Sequence, residues 1–297
     1  MHRLLIIIAI LFFAGNLSAQ PAGDRFLSFT DSIGRVLFDN VPDSMKIAAN
    51  QVFEEKFAEL LHDPVSATLP PDSLKFIKTI RPDDGTFSMF TWAIPLSGGR
   101  HIYSGIMQKF AGDMISDVLL LDESEQPIVD AEAYSVSNWP GAVYFSAIEK
   151  KKDKKRFYTL LGWRGADEGQ SARIIEAMYF DEDGQPVFGM PVFKMNKQNI
   201  SHRILFEFTD QVPFHLAWEE QLIPGKKRKT AWMIVFNHLT GNNPAMGRMF
   251  RGAVPSYEQF DALVFSDGMW RYAEDVDVRV ESEKYVPPDE IDLDGRR

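Results

Sequence analysis

Thr86-Phe87-Ser88-Met89-Phe90-Thr91-Trp92-Ala93-Ile94-Pro95 is followed, one residue on, by Ser97-Gly98-Gly99-Arg100 and then by His101-Ile102-Tyr103-Ser104-Gly105-Ile106-Met107-Gln108-Lys109-Phe110. Two runs rich in aromatic and β-branched residues, joined by a short Gly-Gly link, read as a β-hairpin. The same pattern continues in both directions. Further strands are expected at 74–80, 115–121, 142–149, 156–163, 172–180, 185–189, 202–208, 213–220, 230–237, 261–265 and 269–273. Pro82-Asp83-Asp84-Gly85, Asp181-Glu182-Asp183-Gly184 and Ser266-Asp267-Gly268 each separate two apolar runs with a turn that favours positive φ. Most gaps are too short for the crossover that parallel pairing needs. The chain therefore reads as mainly β, an antiparallel meander of about thirteen short strands, either propeller-like or a large β-sandwich.

Two helices precede the β region. Phe26, Phe29, Ile33 and Val36/Leu37 recur at helical spacing, and Asn40-Val41-Pro42 ends that segment. A second helix begins at Asp43 or Ser44, either able to cap it, with a stripe of Met45, Ala48/Ala49, Val52/Phe53, Phe57 and Leu60/Leu61. Asp63-Pro64 stops it. The expected organisation is a signal peptide over 1–19, a helical segment over 20–66, an antiparallel β domain over 67–280 and a poorly ordered acidic tail over 281–297.

The export reading rests on Met1-His2-Arg3, the apolar run from Leu4 to Ala14, and small residues ending at Ala19. It implies a periplasmic or extracellular chain with no transmembrane segment after cleavage. The 297 residues contain no cysteine, so a disulfide framework, a thiolate metal site and a Cys nucleophile are excluded. Aromatics at 12% argue against disorder, and the net charge of −10 argues against a nucleic-acid partner.

Chemistry-bearing residues are scattered. Asp181 opens like a calcium loop, but Pro186 and Val192 stand where such a loop needs Gly and Glu, leaving a hairpin turn. His62, His101, His202, His215 and His238 form no local ligand pair, so no metal site and no cofactor is expected. Ser97 through His101 reads as a turn rather than a nucleophile site. Among the acids Asp117, Glu176, Glu207 and Asp261, the residues Glu176 and Glu207 stand inside apolar strands, where alternation would face them to solvent. The basic runs Lys150–Arg156 and Lys226–Lys229 read as solvated hairpin tips. A ligand surface, if present, would draw on His101, Arg100, His238, Glu176, Glu207 and the aromatics Trp139, Trp163 and Trp270.

The segments 70–75, 86–92 and 98–105, with Phe157-Tyr158-Thr159-Leu160-Leu161-Gly162-Trp163 and Ile234-Val235-Phe236-Asn237-His238-Leu239, resemble a family of exported bacterial proteins with no established activity. The resemblance implies a secreted bacterial origin and transfers no site residue. The expectation is an exported, non-enzymatic binding or structural module with a protein or glycan partner in the cell envelope. The alternative is an envelope hydrolase acting on glycan or peptide through carboxylate or metal chemistry. A cleft joining His238 or His101 to two carboxylates would favour the hydrolase, and a flat aromatic surface would favour binding.

Overall fold

The computed structural model describes residues 22–38, 41–70, 73–165, 170–196, 199–209, 213–223, 229–240 and 253–278. The expected signal peptide, the acidic tail and Lys226, Lys227 and Arg228 lie outside the described residues. Helices α1 (Ala22–Phe38) and α2 (Asp43–Leu61) come first. Four strands follow: β1 (Lys78–Ile80), β2 (Phe87–Pro95), β3 (His101–Ala111) and β4 (Met114–Leu121). The chain continues through β5 (Val143–Lys152), β6 (Lys155–Gly165), β7 (Gln170–Phe180), β8 (Pro186–Phe188), β9 (Phe193–Lys194), β10 (Ile200–Ser201) and β11 (Arg203–Thr209). It ends with β12 (Leu216–Leu222), β13 (Thr230–Thr240), β14 (Val254–Ser266) and β15 (Met269–Ala273). All thirteen expected strands are present. The short β9 and β10 are additional, and β14 starts seven residues earlier than its apolar run suggests.

The strands form three open sheets, ordered β1-β2-β3-β4, β11-β7-β6-β5 with β8 added to β7, and β10-β9-β15-β14-β13-β12. Strand pairing is antiparallel except for a two-residue parallel contact between β9 and β15. The turns follow the residues that make them. Gly85, Gly184 and Gly268 have φ of 66°, 72° and 72°, and Asp153-Lys154 close the β5–β6 hairpin with positive φ at both positions.

Side-chain alternation explains how these sheets stack. On β6, Phe157 and Leu161 enter one core cluster, while Tyr158 and Leu160 enter another. Likewise β7 sends Ile175 and Ala177 one way and Ile174 and Met178 the other. The sheet β11-β7-β6-β5 is therefore covered on both faces, which accounts for its nearly continuous apolar strands. One face packs on Phe87, Met89, Tyr103 and Met107 of the first sheet, the other on Ile234, Phe236, Leu263 and Trp270 of the third. The result is a serial stack of helices, first sheet, central sheet and third sheet.

Helix α2 covers the outer face of the first sheet. Phe53 and Phe57 meet Trp92 edge to face at 5.3 and 6.1 Å, and Leu61 completes the buried row. The stripe is rotated from the expected one, because Lys46 and Asn50 are buried while Val52 is exposed. Both polar groups are satisfied: Lys46 Nζ donates to the Pro95 carbonyl at 2.9 Å. Asn50 donates to Ser104 Oγ and accepts from Trp92 Nε1, each at 2.9 Å. Neither Asp43 nor Ser44 caps the helix. Pro42 occupies that position, and Asp43 instead accepts from the Ser97 backbone N–H and hydroxyl at 3.0 and 3.1 Å. No helix among the described residues is long and apolar enough to cross a membrane.

Candidate functional site

The third sheet carries one pronounced irregularity. Asn237 pairs with Phe260 and Leu239 with Pro255, so His238 alone stands opposite the four residues Ser256 to Gln259. Such a bulge re-aims side chains at the edge of a regular ladder. Asn237 pins it by donating to the Ser256 carbonyl at 2.7 Å, and Ser256 Oγ accepts from the Gln259 N–H at 3.1 Å.

Below the bulge lies a shared carboxylate. His238 Nδ1 is 2.9 Å from Asp261 Oδ2, and Tyr272 donates its hydroxyl to the same oxygen at 2.6 Å. Asp261 Oδ1 accepts the Asp275 N–H at 3.1 Å, which Asp275 delivers from a left-handed conformation with φ of 53°. Asp261 is buried, and its contact holds the imidazole in place through Nδ1. Burial, the hydrogen bond to Asp261 and the nearby Glu274 push the Tyr272 phenol above its ordinary range. His238, Gln259, Asp261, Glu274 and Asp275 line an open cleft of about 380 Å³. Tyr257, in the same bulge, is 71% exposed.

Two of these groups, His238 and Asp261, were legible as isolated candidates; the others were not. Their meeting depends on the register of β13 against β14, which apolar periodicity alone does not reveal. Tyr272, Glu274 and Asp275 follow from how the chain folds back after β15, where Val276 donates its N–H to the Phe260 carbonyl at 2.8 Å.

Glu176 corrects the solvent-facing expectation. It is fully buried because both faces of its sheet are covered, and it pairs with Arg203 Nε at 2.8 Å, itself at 0% side-chain exposure. Arg203 also donates to the carbonyls of Val129 and Phe188 and lies 4.6 Å over the Tyr134 ring. Burial raises the Glu176 carboxyl from 4.5 to about 7, against the opposing pull of Arg203. A carboxyl raised on folding binds protons more tightly in the folded chain. Its stabilising contribution is complete below about pH 4.5 and lost as pH rises through 7. Wild type should therefore gain stability relative to Glu176→Gln as pH falls from about 8 to about 5, read from urea midpoints. A constant difference across that range would contradict the assignment.

The other sequence candidates separate. His101 meets Trp163 edge to face at 5.2 Å, beside Tyr103, with Gly165 leaving room for the imidazole. Nearby, Arg164 holds Glu123 at 3.5 Å, and burial raises the Glu123 carboxyl despite that arginine and the Tyr103 N–H. Arg100 lies in the β2–β3 turn, 3.7 Å from Asp43. Glu207 is half-buried on β11, opposite Ala172. Trp139 and Trp270 are core residues at 0% exposure and present no ligand surface; Trp163 is half-buried against the core. The exposed indole is Trp232, 53% accessible and 5.5 Å from Trp218.

Two further histidines have other neighbours: His215 pairs with Glu219 at 3.1 Å and His202 lies beside Arg203. Among the described residues, no group of three or more His, Asp and Glu side chains could hold a metal ion. Asp181 accepts the Asp183 and Gln185 N–H groups at 3.0 and 2.7 Å, the geometry of a turn. The basic run Lys150–Arg156 is more than a solvated tip. Lys150 reaches across to the third sheet, with Nζ 4.6 Å from the Trp218 ring and 5.7 Å from Trp270. No family model, curated protein or solved structure matches the chain.

Proposed function

We propose that the chain is an exported protein of the bacterial cell envelope that binds a glycan in the His238 cleft. The observation that carries the proposal is the composition of that cleft. An oriented imidazole, an amide and carboxylates line a concave surface, and the exposed Tyr257 stands in the same bulge. Carboxylates and amides accept pairs of sugar hydroxyls, and a rigid phenol ring offers an apolar face for stacking on a sugar. Export is supported by the apolar N-terminal run ending in small residues, and the resemblance to exported proteins agrees with it.

Titration calorimetry of the chain from Gln20 against a panel of envelope oligosaccharides tests this reading. Asp261→Asn and His238→Ala should each weaken binding about tenfold, about 1.4 kcal/mol. Trp232→Ala, on another part of the sheet, should leave it unchanged. Absence of binding to every member of the panel would defeat the proposal.

The cleft also joins His238 to the carboxylates Asp261, Glu274 and Asp275, the combination that favours hydrolysis, which stands as the second reading. Asp261 holds Nδ1 of His238, leaving the other ring nitrogen suited to take a proton from water. Slow release of reducing ends by wild type, lost in His238→Ala, would support it. Intact oligosaccharide recovered after prolonged incubation would favour binding alone.

A further inference from the structure

The β5–β6, β12–β13 and β14–β15 turns share one end of the stack. Antiparallel pairing of β13 with both β12 and β14 puts the last two turns on the same side. The first joins them because Lys152 packs on the β14–β15 turn, where a Cβ at Gly268 would lie 3.0 Å from its side chain. The His238 cleft is at the other end. Trp232 and His238 are six residues apart on β13, about 20 Å at the rise of an extended strand.

Two kinds of side chain collect at the turn end. Trp232 is exposed and stands 5.5 Å from Trp218, whose ring also carries Lys150 Nζ at 4.6 Å. The turns add Lys151, Lys152, Lys154, Lys155 and Lys229, none with an ion-pair partner among the described residues. Most acids close by are engaged: Glu149 with Arg156 at 3.0 Å and Asp267 with Arg271 at 3.6 Å, while Glu220 accepts the Thr230 hydroxyl at 2.6 Å. Asp153 is the single acid of the β5–β6 turn. A chain of net charge −10 thus presents a local excess of cations beside an exposed indole.

We propose that this end docks the protein on a membrane surface rich in anionic lipid. Charge complementarity selects an anionic partner, since these ammonium groups have no internal counterion. Shape selects a surface. Turns project from the sheet ends, and a planar bilayer can meet all three together, whereas a polymer strand would need a groove to follow. Indole beside lysine also suits the bilayer boundary: the ring sits at headgroup level while long basic side chains reach the phosphates. Docking in this way leaves the His238 cleft at the end remote from the lipid.

Sedimentation with unilamellar vesicles tests the proposal, using the chain from Gln20 so that the apolar N-terminal run cannot itself insert. The expected result is partitioning onto equimolar phosphatidylglycerol and phosphatidylcholine, weakened by salt and absent on phosphatidylcholine alone. The variant Lys151→Gln, Lys154→Gln, Lys229→Gln should lower the partition constant about a hundredfold. Trp232→Ala should lower it about tenfold. All four side chains are exposed, so urea midpoints close to wild type should accompany these losses. His238→Ala, at the far end, should partition like wild type. Failure of the wild type to partition, or equal partitioning of the lysine variant, would overturn the proposal. Capture by soluble polygalacturonate without partitioning onto vesicles would overturn it in favour of an anionic polymer.

Discussion

Replacing Glu176 with leucine should destabilise the protein by about 3–5 kcal/mol near pH 8, among the largest effects of any single substitution. The cost comes from what remains. Arg203 would keep its charge at 0% exposure, held only by the carbonyls of Val129 and Phe188 and the face of Tyr134. A guanidinium cannot shed its proton, so the buried charge has no escape. Arg203→Met should cost less, because the abandoned Glu176 can take up a proton. The double variant Glu176→Leu with Arg203→Met should recover most of the loss, since an apolar pair of similar volume avoids desolvating two charges. Urea unfolding of the four proteins closes the cycle. Equal and additive losses from the two single variants would show that the pair is not coupled.

Trp270→Ala should cost a similar amount, about 3–5 kcal/mol, for a different reason. Its indole fills the interface between the central and third sheets, 5.7 Å from Trp218 and 5.1 Å from Phe265, both edge to face. Its Nε1 donates to the buried Thr159 hydroxyl at 2.8 Å. Truncation would open a cavity, remove the ring nearest Lys150 after Trp218 and Phe265, and strip Thr159 of its donor. Trp270→Phe keeps a ring and loses the hydrogen bond, so about 1–2 kcal/mol is expected. The exposed Trp232→Ala should shift stability by no more than about 0.5 kcal/mol. Denaturation midpoints distinguish the three. Equal losses at positions 232 and 270 would contradict the assigned burial.

Strand positions were readable because turn residues punctuate them. Asp-Gly pairs and the Gly-Gly link fall where backbone sterics demand positive φ. The layering was harder to read. Alternation assigns Glu176 to solvent only if one face of its strand is wet. The neighbours Ile174, Ile175 and Ala177 form the unbroken apolar run of a strand buried on both sides. Helix α2 misled in the same way, since Lys46 and Asn50 look like surface residues until Pro95 and Ser104 supply their partners. At the candidate cleft, His238 and Asp261 are 23 positions apart, and the register of β13 against β14 brings them together. No local pattern encodes that register.

The two-sided cover of the central sheet also governs how the native state opens. Amides of β6 and β7 cannot meet solvent until a neighbouring layer detaches from each face, whereas α1, α2 and the third sheet can each loosen with the centre intact. Hydrogen exchange should therefore be graded through the stack, with β6 and β7 exchanging only through global unfolding and the helices and the β13–β14 bulge exchanging through cheaper, local openings. Denaturant should accelerate exchange in the central strands with the slope of complete unfolding, and in the bulge with almost no slope. The His238 cleft would then belong to the part of the molecule that fluctuates most readily, mounted on the part that fluctuates least.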